Sequence, residues 1–297
     1  MKNMKKLLCV ALGAALSVSL LASCSGGSSS TPAPETTTPA ETTPAETTPA
    51  ETSAADLSSA LIEDGKLIMS TNAQFPPYEM VADGEGFNGT GFEGIDIEIA
   101  YALAEKLGLE LVIDDMEFDS ALLAVQNNAA DMMLAGLSYS TDRDEVMDFS
   151  DSYATGVQVV IVKEDSPIQT IDDLANADMI GCQAATTGYI YASDTPENGG
   201  YGEDHVIAYD NGATAVQELI NGTIDAVIID QAPAEEYVAA NADAGLTILP
   251  GAWVEEQYCL AVDDGNTVLL DALNTALNEL IDDGTVQTII DKYITAE

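Results

Sequence analysis

From about residue 57 to the end of this 297-residue chain, short apolar runs of strand length alternate with segments of helical period, and that alternation limits the fold more than any other feature. The runs lie at 66–70, 110–113, 131–135, 157–162, 179–182, 205–208, 226–229 and 258–262, each bounded by turn residues and too short for a helix. Between them, Ile99, Leu103 and Leu107 repeat every four residues, with Asp96 placed to cap the first turn after Gly94. Leu122, Leu123 and Val125 mark a second helix over 119–127. Val216, Leu219 and Ile220 mark a third over 213–220, and Leu269, Leu273, Leu277 and Leu280 a fourth over 268–281. Strands alternating with helices predict an α/β fold whose sheets are covered on both faces. About 240 residues of this pattern, with so many short strands, divide more naturally into two lobes than into one sheet.

The residues before this region cannot take part in it. Thr-Thr-Pro-Ala-Glu recurs three times, at 37–41, 42–46 and 47–51, after a Gly/Ser stretch at 25–30. Low hydrophobicity, regular proline and spaced glutamate leave nothing to offset the entropy of ordering, so 24–56 is expected to be an extended tether. Ahead of it, Lys2, Lys5 and Lys6 precede an apolar stretch at 7–20 that is too short for a membrane span, which predicts a secretory signal over 1–23. That segment ends in Leu21-Ala22-Ser23-Cys24, which resembles the lipobox of bacterial lipoproteins. The resemblance implies a diacylglycerol on Cys24 as the new N-terminus, where two acyl chains suffice for stable anchoring. An ordinary signal peptide with an incidental cysteine is the alternative. Of the other cysteines Cys9 leaves with the signal, and Cys182 and Cys259 lie in apolar runs. Buried free thiols are expected there ahead of a disulfide, although an exported compartment permits one.

Charge then excludes whole classes of function. The chain has 8 Lys+Arg against 51 Asp+Glu and one His, for a formal net charge of -43. Without a basic face it is not expected to bind nucleic acid. A His-containing catalytic triad or multi-His metal site would depend on His205 alone, so neither a metal nor any other cofactor is expected. Beyond the signal only Lys66, Lys106, Arg143, Lys163 and Lys292 are basic, which leaves Arg143 as the lone residue able to offer a planar bidentate fork to a carboxylate. Its alternative is a surface ion pair with Asp142, Asp144 or Glu145.

Several segments of the α/β region carry a resemblance. GIDIEI at 94–99, continued by Leu103 and Ala104, resembles the signature of the family 3 extracellular solute-binding proteins, which deliver amino acids to ABC transporters. TNAQFPPYE at 71–79 is similar to that family's first loop, and AGLSYSTDR at 135–143 followed by DFS at 148–150 to its central binding segment. GCQAATT at 181–187 and Ile229-Asp230 match two further stations in the family's order. The fold this implies is a type II periplasmic-binding-protein-like clamp, each lobe a mixed sheet flanked by helices. Lobe 1 would comprise 57–153 and 259–297 and lobe 2 would comprise 158–254, joined by two hinge crossings. Such proteins close about a ligand by hinge motion, and a cleft between α/β lobes is a usual place for a small-molecule site.

The resemblance also implies a ligand set. Arg143 would hold the α-carboxylate of a free L-amino acid. Gly136 would offer its carbonyl, and Ser138 its N–H and hydroxyl, to the ligand's charged groups, with Leu137 between them in the same segment. Asp230 would pair with the ammonium, its alternative being a helix cap for Gln231 onward. Thr186 and Thr187 stand in a turn before a helix, where outward N–H groups favour an anion. Ala185 departs from the family there, standing where glycine is usual. Gln183 is expected to face the cleft from the preceding strand. Phe75 and Phe118 match the aromatic pair that sandwiches the ligand side chain, although aromatics at such spacing are more often core, and Tyr78 is expected to be packing. Asn72 occupies a position that is acidic in several relatives. A neutral amide does not compensate a buried cation, and no second cation falls in a motif to meet an acidic side chain, so a neutral polar or apolar amino acid is expected.

Three functions fit these residues. The chain as a lipid-anchored substrate-binding subunit would meet an ABC permease as its partner, act as a monomer on the extracellular side of the cytoplasmic membrane, and catalyse nothing. A cyclohexadienyl-dehydratase-like enzyme on the same fold is the second reading, against which no spare acid/base pair is evident. A ligand sensor without a permease is the third.

Overall fold

The computed structural model describes residues 57–294. The expected signal at 1–23, the tether at 24–56 with Cys24, and residues 295–297 lie outside the described residues. The chain first forms β1 (Lys66–Thr71), β2 (Gln74–Phe75), β3 (Glu79–Val81), β4 (Phe92–Glu93), α1 (Ile95–Leu107), β5 (Glu110–Asp115), α2 (Phe118–Gln126), β6 (Met132–Met133) and β7 (Met147–Phe149). It continues through β8 (Ala154–Lys163), β9 (Ile180–Gln183), α3 (Thr187–Ser193), β10 (Val206–Tyr209), α4 (Gly212–Asn221), β11 (Ala226–Asp230), α5 (Gln231–Ala240), β12 (Leu246–Ile248) and β13 (Val254–Tyr258). It closes with β14 (Ala261–Asp263), α6 (Thr267–Asp282) and α7 (Thr285–Tyr293).

These strands build two main sheets. The first has the order β5-β1-β6-β14-β7, and the second has β10-β9-β11-β8-β12 with β13 also paired to β8. In the first sheet β1 runs parallel to β5 and β6, whereas β14 is antiparallel to β6 and β7. In the second β9 is parallel to β10 and β11, and β8 antiparallel to β11. Each is therefore a mixed sheet flanked by helices, and the chain leaves the first sheet after β7 and returns to it at β14. A small third sheet, β2-β3-β4, lies within the first part. The central parallel strands are buried on both faces, which is why β11, all five residues buried, reads in sequence as an unbroken apolar run.

The two crossings between the sheets are strands rather than loops. β13 pairs with β8 from Val254 opposite Gln158 to Tyr258 opposite Ala154, and Tyr153 donates its N–H to the Tyr258 carbonyl at 3.0 Å. Tyr258 is fully buried at this junction, and a side chain at Gly156 would run into its ring. The β13 sequence VEEQY alternates exposed and buried positions and turns Glu256 inward.

Helix α1 corrects one expectation. Gly94 is its N-cap, with no side-chain cap bond, and Asp96 lies inside the first turn, fully buried. Its carboxylate reaches across the fold instead of back along the helix. The start of α1 is held from the other side by α7: the Tyr293 hydroxyl donates to Glu98 at 2.6 Å and accepts the Gly94 N–H at 3.2 Å, and Lys292 pairs with Glu98. Cys182 and Cys259 are both buried and unpaired. Among the described residues no helix is long and apolar enough to cross a membrane.

Candidate ligand-binding cleft

The parallel strands aim their C-terminal ends at a common space, the usual position of a site in an open α/β sheet. β1 ends at Thr71 and delivers Asn72, and β6 is followed by the loop that carries Ala135, Gly136, Ser138 and Arg143. From the second sheet β9 ends at Gln183, β11 ends at Asp230, and α3 begins just after Thr186. Together with Phe75 and Phe118, these residues line one common cavity. Leu137 does not reach it. Its side chain is fully buried in a core with Phe118 and Met133, and its carbonyl accepts the Cys259 N–H at 3.0 Å.

Side-chain hydrogen bonds cross the cleft. Arg143 Nη2 donates to the Ala185 carbonyl at 2.9 Å, Gln183 Nε2 to Asn72 Oδ1 at 2.9 Å, and the Tyr237 hydroxyl to the Gln74 carbonyl at 2.7 Å. Arg143 also donates from Nη1 to the Ser138 carbonyl at 2.7 Å and lies 5.6 Å from the centre of the Phe118 ring. It is 7% exposed, and no carboxylate lies within ion-pair distance of it among the described residues. The surface ion pair weighed from sequence is therefore not formed. Burial pulls the guanidinium down to about 10, which leaves it charged at neutral pH. Ala185, in the left-handed region at φ 61°, turns its carbonyl to Arg143, a conformation that costs a non-glycine residue roughly 1–2 kcal/mol.

Asp230 stands at the N-cap position of α5 but makes no cap bond. One oxygen accepts from the Tyr258 hydroxyl and the other from Gln158 Nε2 at 2.7 Å. Burial first, then the charge of Glu256, pushes its carboxyl up to about 7 against the pull of the Tyr258 bond. Gly136 is fixed by a second acid: Asp96 Oδ2 accepts its N–H at 2.7 Å, while the Tyr153 hydroxyl donates to both Asp96 oxygens at 2.8 and 2.9 Å. Gly136 has φ 51°, and a Cβ there would lie 2.6 Å from the Phe75 ring, so this wall needs glycine.

A fold built from two α/β sheets with two strand crossings, and a cavity between them holding one buried arginine, already narrows the possibilities. Residues 67–296 match the bacterial extracellular solute-binding proteins, family 3. The chain belongs to that family. It is 34% identical over 233 residues to the arginine-binding extracellular protein ArtP of Bacillus subtilis, covering 78% of this chain and 87% of ArtP. Among solved structures, a mutant of ArgBP from T. maritima superposes with a TM-score of 0.70 at 33% identity, covering 82% of this chain and 99% of that one. An ancestral arginine-binding protein bound to glutamine gives 0.69 at 34% identity, covering 78% and 99%.

In this solute-binding protein three cleft residues escape a reading of sequence alone. Ala135 lines the cavity beside Gly136. Gln158 on β8 donates from one amide nitrogen to Asp230 and, at 3.1 Å, to Glu256. Glu256 on β13, 7% exposed, also accepts from the Ser138 hydroxyl at 3.0 Å and the Thr187 hydroxyl at 2.8 Å. No motif marks Gln158 or Glu256; the one signal is strand alternation, which turns both inward once β8 and β13 are paired.

Proposed function

We propose that this chain captures a free α-amino acid between its two lobes and delivers it to the permease of an ABC importer. The observation that carries this reading is the burial of the chain's lone arginine in a cavity whose lining from the second sheet includes a buried acid, Asp230. A carboxylate suits the unused N–H groups of Arg143, and an ammonium suits Asp230. Gly136, Ser138, Thr186 and Thr187 complete the polar walls, and Phe75 and Phe118 supply flat apolar surface for the ligand side chain. Charge-assisted hydrogen bonds contribute about 1.5–3 kcal/mol each. Four or five of them plus burial of the ligand side chain against the aromatic rings, less the cost of immobilising the ligand and closing the lobes, are expected to leave about 8 kcal/mol, or low-micromolar affinity. Residues 57–153 with 259–297 form one moving body and 158–254 the other, with paired β8 and β13 as the hinge. Cys24 carries the lipid anchor and 24–56 the tether that keeps the clamp at the extracellular face of the membrane.

The side-chain end of the cavity favours a neutral polar ligand. Asn72 Nδ2 is held by the Met116 carbonyl at 2.9 Å and Asn72 Oδ1 by Gln183, so the pair is neutral and leaves Gln183 Oε1 to accept a donor such as a primary amide. A second reading, a cationic side chain, is favoured by one observation. Partial burial and then Asp210, Asp119 and Asp115 hold the Glu117 carboxyl above its ordinary range. Glu117 precedes α2 and Asp210 follows β10, so acids of both sheets crowd one another, and a cation there would relieve their repulsion. A thermal-shift panel of the twenty amino acids tests both readings, because a ligand of the native state raises Tm. Glutamine or another neutral polar amino acid is expected to give the largest shift, and stabilisation by arginine and lysine alone would establish the second reading. Arg143→Ala is expected to remove the shift while the circular dichroism spectrum stays folded.

A further inference from the structure

Ser138 and Thr187 both line the cavity, and the direction of their hydroxyl protons decides what they can bind. Each hydroxyl has one proton to donate and lone pairs to accept with. Both are in contact with the same atom, Glu256 Oε2, at 3.0 Å from Ser138 and 2.8 Å from Thr187. That oxygen also receives the Gln158 amide N–H at 3.1 Å, and an amide nitrogen can only donate. Glu256 Oε2 is therefore an acceptor, and both hydroxyl protons point at it. The Gln158 amide is fixed in turn by its bond to Asp230 Oδ2 at 2.7 Å, so its donor end cannot be reversed without leaving two acids facing a carbonyl oxygen.

From this we infer that Glu256, which does not itself line the cavity, sets the hydrogen-bond polarity of the cleft. With their protons committed to Glu256, Ser138 and Thr187 offer lone pairs to the ligand. They act as acceptors for its ammonium and leave its carboxylate to Arg143 and backbone N–H groups. Glu256 is in these terms a positioning residue that makes the α-ammonium an obligatory feature of the ligand. The inference rests on the amino-acid reading of the site and reverses one detail of it, since the family resemblance alone lets the Ser138 hydroxyl serve either charged group.

The test is calorimetry on the full chain with L-glutamine and L-arginine, each beside its deamino acid, which keeps the carboxylate and side chain but lacks the ammonium. The wild-type chain is expected to prefer an amino acid over its deamino acid by at least 100-fold. Glu256→Gln, which can donate to the hydroxyls and turn them round, is expected to shrink that preference at least tenfold by weakening the amino acid alone. Thr187→Val, isosteric and independent of how Glu256→Gln folds, is expected to weaken the amino acid several-fold more than the deamino acid. Equal weakening of both ligands in either variant would overturn the inference, because a hydroxyl that donates to the carboxylate, or a merely structural acid, does not discriminate between them. If the wild-type chain binds none of the twenty amino acids, the reading of the site falls and the inference with it; if it binds one other than these two, that amino acid and its deamino acid take their place in the comparison. If it binds one and the preference is unmoved by Glu256→Gln, the inference alone falls.

Discussion

Two pairs of buried acids flank the cleft, and their difference separates what holds this molecule together from what it recognises. Asp96 and Glu79 lie behind Gly136, and Asp230 and Glu256 lie beside the strand crossings. All four are at least nine-tenths buried, and among the described residues none has an arginine or lysine within ion-pair distance. The first pair is closed off. Asp96 is satisfied by a backbone N–H and a phenol, and Glu79 receives no donor at all. Burial and the Asp96 charge push Glu79 well above the ordinary carboxylate range, which favours its neutral form. The second pair takes donors on both Asp230 oxygens and on Glu256 Oε2, with Glu256 Oε1 left without one among the described residues, and through Asp230 it lines the cavity. A buried carboxylate surrounded by its own fold is architecture. One that lines an empty wall beside the molecule's lone guanidinium can receive a charge from outside.

The comparison breaks most visibly at Asp96. Asp96→Ala strips the acceptor from the Gly136 N–H and the Tyr153 hydroxyl and leaves both buried without partners, at roughly 1–3 kcal/mol each. A loss of about 3 kcal/mol is expected, which lowers Tm by about 10 °C in a domain of this size. Thermal unfolding followed by circular dichroism measures it, and an unchanged Tm would mean that the closed pair is not structural.

Asp230→Asn is expected to do the reverse, weakening amino-acid binding about 100-fold while leaving the ligand-free protein as stable at pH 8 as the wild type, or more so. The sign follows from its titration. A carboxyl held up to about 7 in the fold, against about 3.9 in an unfolded chain, favours the folded state when protonated. That contribution is complete below about pH 4 and is lost as pH rises through about 7. An ammonium needs the ionised form, so affinity is expected to fall as pH drops below 7, and binding near pH 7 to release a fraction of a proton. Calorimetry in buffers of different ionisation enthalpy reads that release directly. Binding heats that do not change with buffer would put the ammonium elsewhere.

How much of this was legible in sequence follows the same division. Strands buried on both faces, such as β1 and β11, announce themselves as apolar runs, and α6 by its four-residue leucine repeat. The motif segments carried nine of the expected cleft residues to one cavity, because these segments lie at the C-terminal ends of strands that face the cleft, and Phe118 at the start of α2 is the tenth. Leu137 was misplaced since its backbone belongs to the motif while its side chain follows the pleat into the core. Asp96 looked like a cap because a helix start is a local pattern, whereas the Gly136 N–H it binds is 40 residues away. β13 and Glu256 were invisible. VEEQY reads as a polar edge, and only its pairing with β8 shows that one of its two glutamates is enclosed. Helix α5, with Pro233 in its first turn and few large apolar residues, had too weak a period to be read.

The smallest effect is expected at Glu79, and its smallness is informative. An acid that receives no donor and lies beside another carboxylate can persist in a protein interior only by keeping its proton. Glu79→Gln replaces that neutral acid with a neutral isostere whose amide can still donate toward Asp96. A cost below about 1 kcal/mol is expected, typical of a substitution that leaves buried polar groups paired. Burial and the Asp96 charge raise the Glu79 carboxyl well above its ordinary range, so the difference between variant and wild type in denaturant midpoint is expected to vary little from pH 5 to 8. Asp96, pushed by burial up to about 6, titrates inside that window in both proteins and cancels. A difference that grows with pH would show Glu79 losing its proton there, and the closed pair would then carry two charges that nothing in the described fold compensates.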